Sequence, residues 1–197
     1  GEKQDPHQEV YELVNEAKLF NIEVKIPKLS SFSEKFRITE DGIYFGIKDI
    51  KGLTGVTGEK AVNAISEAKE ELGKNPSEFT WMDVLLKLSS KINLTAFKAL
   101  ASIGFFSTKN TGVNRNKALY EYLIFRELTK VELGWVQKHY PQKRWSTLKD
   151  CFTDLAPTKK LGGGTSNVNR SQIVSNEVDM LESPPYDLSD DPAWIIE

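Results

Sequence analysis

The stretch of sequence that decides the fold reads Gly46-Ile47-Lys48-Asp49-Ile50-Lys51-Gly52-Leu53-Thr54-Gly55-Val56-Thr57-Gly58-Glu59-Lys60-Ala61-Val62-Asn63-Ala64-Ile65. An apolar segment compatible with a helix leads into a glycine-rich turn, and a second helix follows. Such a turn points several backbone N–H groups in one direction at the positive end of the following helix, where a phosphate binds well. The pattern predicts a phosphate-binding turn or, alternatively, a plain connection whose glycines let two helices pack closely.

A nucleotide fits this turn poorly. A P-loop places a lysine directly after its last glycine and a hydroxyl residue after that lysine. Here Glu59 separates Gly58 from Lys60, and Ala61 stands where the hydroxyl belongs. The glycine spacing also differs from the dinucleotide-binding fingerprint. A nucleotide-binding enzyme that uses the Gly52–Lys60 loop is therefore kept only as an alternative.

Charge is distributed unevenly, although the net charge is only −2. Residues 1–86 hold 11 cations and 16 carboxylates, residues 87–170 hold 15 and 5, and residues 171–197 hold none and 7. The middle block is thus strongly basic, which indicates a polyanionic partner such as DNA. The alternative is a freestanding protein-interaction module whose basic block meets an acidic protein or the chain's own acidic segment.

Several classes of protein are excluded by simple patterns. No window contains the run of about 18 apolar residues that a membrane span needs. The single cysteine, Cys151, excludes an internal disulfide and fits a reducing cytoplasm. That cysteine with His7 and His139 does not have the spacing of a zinc site. We expect a cytoplasmic protein with no membrane segment and no metal of its own.

Hydrophobic periodicity predicts a mainly α fold with a small N-terminal β element. Pro141 is expected to end the longest helix, and the glycine-rich run 161–167 predicts a flexible linker to an acidic tail. We expect helices over residues 9–20, 47–51, 58–73, 80–89, 93–103, 115–139 and 145–155, a strand over 22–26, and a hairpin that pairs 36–38 with 43–45.

Four consecutive stretches carry a family resemblance. Residues 21–27 are similar to Gly-Ile-x-Val-x-Pro-Pro, and residues 43–52 to Ile-Arg-Phe-Gly-Leu-x-x-Ile-Lys-Gly. Residues 58–65 are similar to Gly-Glu-Lys-Ala-Val-x-x-Ile, and residues 93–106 to Asn-Lys-x-x-Leu-x-x-Leu-Ile-x-x-Gly-Ala-Phe. In this order the four stretches resemble the family C replicative DNA polymerases, the family that includes the α subunit of bacterial DNA polymerase III. The turn at 51–60 is longer than the family's compact Lys-Gly-Val-Gly-Glu-Lys.

The resemblance implies a tandem helix-hairpin-helix domain that holds newly made duplex DNA behind the polymerase active site. The magnesium-binding palm carboxylates lie upstream of this region in the family, so the stretch is expected to be non-catalytic within a nucleotidyltransferase. Each hairpin would bind one backbone phosphate without reading sequence. The implied DNA-binding residues are Lys51, Gly52, Gly55, Thr57, Gly58, Lys60, Lys98, Gly104, Lys109 and Arg115.

A short peptide in the acidic segment resembles the family's sliding-clamp motif, Gln-x-Asp-Met-Phe. The residues are Glu177, Asp179, Met180 and Leu181, with Glu in place of Gln and Leu in place of Phe. The two apolar side chains would fill a pocket on the clamp, or else pack back on the helical core.

These features together predict three parts. Residues 1–45 would be a connector after the fingers with a short β element, 46–156 the DNA-binding domain, and 157–197 the flexible linker and acidic tail. The implied partners are the duplex DNA backbone, the rest of the polymerase chain and a sliding clamp, in a bacterial cell or a phage-infected host.

Overall fold

The computed structural model describes residues 6–155, which form a mainly helical fold with one small sheet. The longest helix, α2, follows the glycine-rich turn, and two short 3-10 helices cover Ile47–Asp49 and Pro76–Glu78. The elements are α1 (Pro6–Leu19), β1 (Val24–Lys25), β2 (Arg37–Thr39), β3 (Gly42–Tyr44), α2 (Val56–Leu72), α3 (Trp81–Leu88), α4 (Leu94–Ser102), α5 (Arg115–Arg126), α6 (Lys130–Lys143) and α7 (Leu148–Leu155).

The sheet has the strand order β1-β3-β2. Ile43 in β3 pairs with Val24 in parallel β1 and with Ile38 in antiparallel β2. Gly42 has a φ of +146°, and a Cβ there would collide with the carbonyl oxygen of Glu23. The predicted hairpin is confirmed within one residue, while the predicted strand over 22–26 is only two residues long.

An aromatic cluster forms the centre of the helical part. Phe97 of α4 stacks on Tyr122 of α5 with a centroid distance of 3.7 Å, and on Phe106 at 4.4 Å. Trp81 of α3 packs against Phe106 at 6.3 Å. The Tyr122 hydroxyl donates to the carbonyl oxygen of Ile92 at 2.7 Å, which satisfies its polar group inside the core. These rings fix α3, α4 and α5 relative to one another.

The β element and the helices share one hydrophobic core. Leu29, fully buried, donates its amide to the carbonyl oxygen of Phe105 at 2.8 Å. Phe32 packs edge-on against the same Phe105 ring, with centroids 5.5 Å apart. The segment between β1 and β2 is therefore attached directly to the connection between α4 and α5.

The predicted long helix over 115–139 is wrong, because the chain breaks between α5 and α6. A capping box starts α6: the Thr129 hydroxyl accepts from the Glu132 amide, and the Glu132 carboxylate accepts from the Thr129 amide. The break lets Glu132 and Val136 turn into the interior. Thr129-x-x-Glu132 is itself a sequence signature of a helix start.

Pro141 does not end the last long helix, which is a second correction. The residue lies within α6, which continues to Lys143. Proline in this last turn removes only one amide donor from the helix. The C-cap residue is Arg144, which has a left-handed φ of +46° and whose amide donates to the carbonyl oxygen of Tyr140 at 2.8 Å, a common way for a helix to end. The next helix begins at Leu148 rather than at residue 145.

A buried carboxylate joins α6 to α3. One oxygen of Asp83 accepts from the Tyr140 hydroxyl at 2.7 Å, and the other accepts from the Thr80 amide at 2.9 Å and from the Lys74 ammonium. The Asp83 side chain is only 2% exposed. Because these donors satisfy both oxygens, the charge is tolerated in the interior and orients α6.

Replacing Asp83 by Asn should make stability less dependent on acid. Burial raises the pKa of Asp83, but hydrogen bonds from Lys74, Thr80 and Tyr140 outweigh burial and lower the pKa below its usual value. The carboxylate therefore contributes stability fully above its unfolded pKa of about 4, and the contribution is lost as pH falls through the lower folded pKa. We expect Asp83→Asn to lower the free energy of unfolding at neutral pH by about 2–4 kcal/mol.

Urea unfolding between neutral pH and about pH 3 measures both effects. The loss of stability on acidification should be smaller in Asp83→Asn than in the native chain. Asp150→Asn is the matched control, since Asp150 is exposed in the first turn of α7 and should change stability by less than about 0.5 kcal/mol. Equal acid sensitivity of the native chain and Asp83→Asn would contradict the assignment.

Candidate functional site

The first turn, residues 50–55, connects the 3-10 helix to α2. Two fully buried side chains anchor it: Ile50 and Leu53, whose amide donates to the Ile50 carbonyl at 2.9 Å. Gly52 and Gly55 have φ angles of +88° and +67°, which residues with a side chain rarely adopt. Thr54 and Gly55 are exposed. The apolar side chains thus hold the turn while its backbone faces the solvent.

The N-terminus of α2 has no side-chain cap. Gly55 is the N-cap residue of α2, and the first intrahelical bond runs from the Glu59 amide to the Gly55 carbonyl oxygen at 3.1 Å. The amides of Val56, Thr57 and Gly58 precede that bond. In contrast, α3, α4, α5 and α6 begin at side chains that accept from the third amide of their helix: Thr80, Asn93, Asn114 and Thr129.

Gly58 has a packing role. It is buried, and a Cβ at this position would collide with the carbonyl oxygen of Leu53 and come within 3.1 Å of the Lys48 side chain. The absence of a side chain lets the first turn lie directly on α2. Gly58 was predicted as a DNA-binding residue, and the structure places its Cα against the turn instead of at the surface.

Cations surround the first turn. Lys60 is exposed and lines a cleft of about 130 Å³, together with Thr57 of α2 and with Lys91 and Asn93 at the start of α4. The cleft brings the beginnings of two helices together, and both have positive partial charge. Lys91 also pairs with Glu67 at 2.6 Å, and this hydrogen bond raises the pKa of Lys91.

Sequence reasoning missed Lys91 and Asn93. The asparagine is a normal helix-start signal, and α4 does begin after it. The sequence pattern does not show that α4 starts beside the start of α2. That arrangement depends on packing between segments that are distant in the chain. No local motif marks Lys91.

Lys98 lies on α4, the helix that packs against the first turn. A Cβ on Gly52 would lie 3.8 Å from the side chains of Thr95 and Ala99 of α4. Lys98 is exposed on the same helix, three residues after Thr95. Since residues three apart are neighbours on a helix surface, Lys98 lies next to the face of α4 that packs against Gly52.

Neighbouring cations differ in what they already contact. Lys48 pairs with Glu34 at 2.6 Å, and this hydrogen bond raises its pKa. Lys51 is exposed beside Gly52. Within residues 6–155, the ammonium groups of Lys60 and Lys98 form no ion pair. These last two are the cations best placed to meet an incoming anion.

The second turn, residues 103–114, is closed by its own bonds. The Gly104 amide donates to Ala101, and the Phe105 amide to Leu100, both at 3.0 Å. The Ser107 amide donates back to Gly104 at 3.0 Å. The rings of Phe105 and Phe106 are fully buried, so this turn is directed into the core. It is not the equivalent of the first turn.

Arg115 and Lys109 have different surroundings. The Nη1 atom of Arg115 donates to the carbonyl oxygen of Ser102 at 3.0 Å, and its side chain lies over Gly104. Arg115 therefore ties the end of α4 to the start of α5. Lys109 is exposed in the loop before Gly112. The two residues predicted to help Gly104 bind phosphate are thus not brought together around exposed amides.

Residues 6–155 contain neither a cluster of metal-ligating side chains nor a membrane-spanning helix. In that range, no three His, Cys, Asp or Glu side chains lie together as a possible metal site. None of its helices is both long and apolar enough to cross a bilayer. Burial raises the pKa of the Cys151 thiol to about 12, and Asp154 adds to this effect, which makes the thiol a poor nucleophile. The predicted clamp-binding residues Glu177, Asp179, Met180 and Leu181 lie outside the described residues.

Known proteins offer no match. No protein-family model, curated protein or solved structure matches this chain. The resemblance to family C polymerases stays a prediction from the four sequence stretches.

Hydrogen exchange should distinguish the two turns. The amides of Val56 and Thr57 precede the first bond of α2, so we expect them to exchange at nearly the rate of an unstructured peptide. The amides of Gly104, Phe105 and Ser107 are bonded within a buried turn and should exchange at least about a hundredfold more slowly. Residue-resolved exchange measured by NMR tests this, and similar rates in both turns would contradict the difference described.

Replacing Gly58 by Ala should destabilise the fold by about 1–3 kcal/mol, because the added Cβ forces the Leu53 carbonyl away from α2. The control is Gly134→Ala in α6, where a Cβ meets no atom within 4 Å. In a helix interior this change should raise the free energy of unfolding by up to about 1 kcal/mol. Urea unfolding measures both variants. A neutral or stabilising effect at position 58 would show that the turn can move away freely.

Proposed function

We propose that this chain is the sequence-independent duplex-DNA-binding part of a DNA-directed DNA polymerase of family C. The supporting observation is the exposed, uncapped start of α2, with Lys60 in its first turns and the exposed Lys98 on α4, the helix that packs against Gly52. Backbone amides and ammonium groups recognise phosphate, which every DNA sequence presents. The role is consistent with a replication enzyme, which must accept any sequence, and implies a cytoplasmic location in a bacterial cell or a phage-infected host.

The order of elements supports a tandem helix-hairpin-helix. The first unit consists of the 3-10 helix, the first turn and α2; the second consists of α4, the second turn and α5; and α3 connects them. In this proposal the amides of Val56 and Thr57 donate to one phosphate. Lys60 and Lys98 lie on either side of it, with Lys51 nearby.

The two units have unequal roles in this proposal. The first turn supplies amides and cations, whereas the second turn supplies packing through Gly104 and Arg115, with Lys109 as its exposed charge. The cleft beside Asn93 extends the first site toward α4. The proposed grip therefore centres on the first turn and on the start of α4.

Catalysis belongs to other parts of such a polymerase. The palm carboxylates that hold the family's magnesium lie upstream of the region that this chain resembles. No catalytic step is therefore assigned to this chain. Its proposed partners are duplex DNA, the remaining polymerase chain and, through residues 177–181, a sliding clamp.

Binding of a fluorescent random-sequence duplex at several salt concentrations tests the proposal. The native chain should lose affinity steeply between about 50 and 200 mM salt, since each phosphate contact contributes about one unit of log–log slope. Lys60→Glu combined with Lys98→Glu should weaken binding at low salt by at least about tenfold and lower the slope by about two. Glycine substitutions suit this test less well, because Gly58 is needed for packing.

The matched control is Lys18→Glu combined with Lys69→Glu. Both lysines are exposed near the C-terminal ends of α1 and α2, and the control changes net charge by the same amount. It should weaken binding by less than about threefold, because only long-range charge is altered. Equal losses in both double variants, or binding that does not respond to salt, would overturn the proposal.

A further inference from the structure

The exposed surface formed by residues 87–155 is more basic than the sequence count suggests. This range holds 12 cations and 5 carboxylates. Glu121 and Glu132 are each only 1% exposed. Asp154 accepts from the Trp145 indole at 2.7 Å and lies 3.7 Å from the Lys143 ammonium. The carboxylates of this range that reach the surface are therefore Glu127, Asp150 and Asp154, whose side chain is 39% exposed and paired with Lys143.

The segment 171–197 has the complementary charge. It carries 7 carboxylates and no cation, against an excess of 7 cations in residues 87–155. A carboxylate oxygen accepts hydrogen bonds from amides and pairs with ammonium groups, as a phosphate oxygen does. The surface that suits DNA therefore also suits this segment.

The connection between the two is long enough. Residues 156–170 can span at most about 50 Å, whereas a domain of 150 residues has a radius of gyration of roughly 15 Å. The acidic segment can therefore reach any face of its own domain. A short connection of this kind gives an effective concentration in the millimolar range, so even a weak contact is populated.

We propose that the acidic segment 171–197 binds the first turn and the adjoining basic surface of the same molecule. The contact involves the first-turn cations Lys60 and Lys98 and the exposed start of α2. Duplex DNA, if it binds there as proposed above, must displace the segment. The segment then acts as an internal competitor that weakens DNA binding most strongly at low salt.

The test neutralises the segment within the full chain by the substitutions E177Q, D179N, E182Q, D187N, D190N and D191N. The matched control makes the same change in net charge at exposed carboxylates of the N-terminal region, by E9Q, E12Q, E16Q, E23Q, E40Q and D41N. Amide chemical shifts of residues 54–60 are compared without DNA, at low salt and at two protein concentrations tenfold apart. Affinity for a random-sequence duplex is then measured for the same three proteins.

The expected result is a shift change over residues 54–60 in the neutralised chain only, identical at both protein concentrations. DNA affinity should rise about three- to tenfold at low salt, and the difference should vanish near 0.5 M salt because the contact is screened. A shift change in a chain that binds no DNA would support this contact while refuting the DNA proposal.

Three results would overturn the inference. Unchanged shifts over residues 54–60 would show that the segment does not touch the first turn. Shift changes that grow with protein concentration would place the segment of a second copy there. An equal gain in DNA affinity in the control would show that net charge alone is responsible.

Discussion

The stacking of Phe97 between Tyr122 and Phe106 is the interaction on which the helical part depends. It joins α4, α5 and the second turn, and Trp81 brings α3 to the same cluster. The core takes up the rings of Phe105 and Phe106, and the amides around them are bonded within the second turn itself. The two glycine-containing turns therefore differ for a packing reason: one is held by aliphatic anchors with its amides outward, and the other contributes its aromatic side chains to the interior.

Much of the local structure follows from the sequence. Helix starts at Asn93 and Asn114 are visible because an asparagine directly precedes an apolar periodic segment, and the hairpin around Asp41 and Gly42 has clear turn chemistry. The division at Thr129 was missed because apolar spacing continues across it, although the capping box was present. The prediction that Pro141 ends the helix was wrong because a proline near the end of a helix removes only one hydrogen bond.

The site is less predictable than the fold. Lys60 and the glycines follow from the motif, but the packing of α4, which carries Lys98, against Gly52 joins segments that are distant in the sequence. Arg115 illustrates the opposite case: a cation in a promising motif is used to hold the end of α4. A count of charged residues in the sequence is limited in the same way. Burial of Glu121 and Glu132 changes the net charge at the surface, although the sequence count stays the same.

The glycine at the start of α2 also has a thermodynamic consequence. Thr, Ser, Asp or Asn at a helix N-cap adds only about a few tenths of a kcal/mol of stability over Gly. The side-chain oxygen that would provide this stability would also occupy the amides that α2 leaves exposed at Gly55. Water or, in the proposed role, a backbone phosphate takes the place of that missing oxygen. In the proposed role, the start of α2 would thus be completed by its ligand rather than by its own sequence.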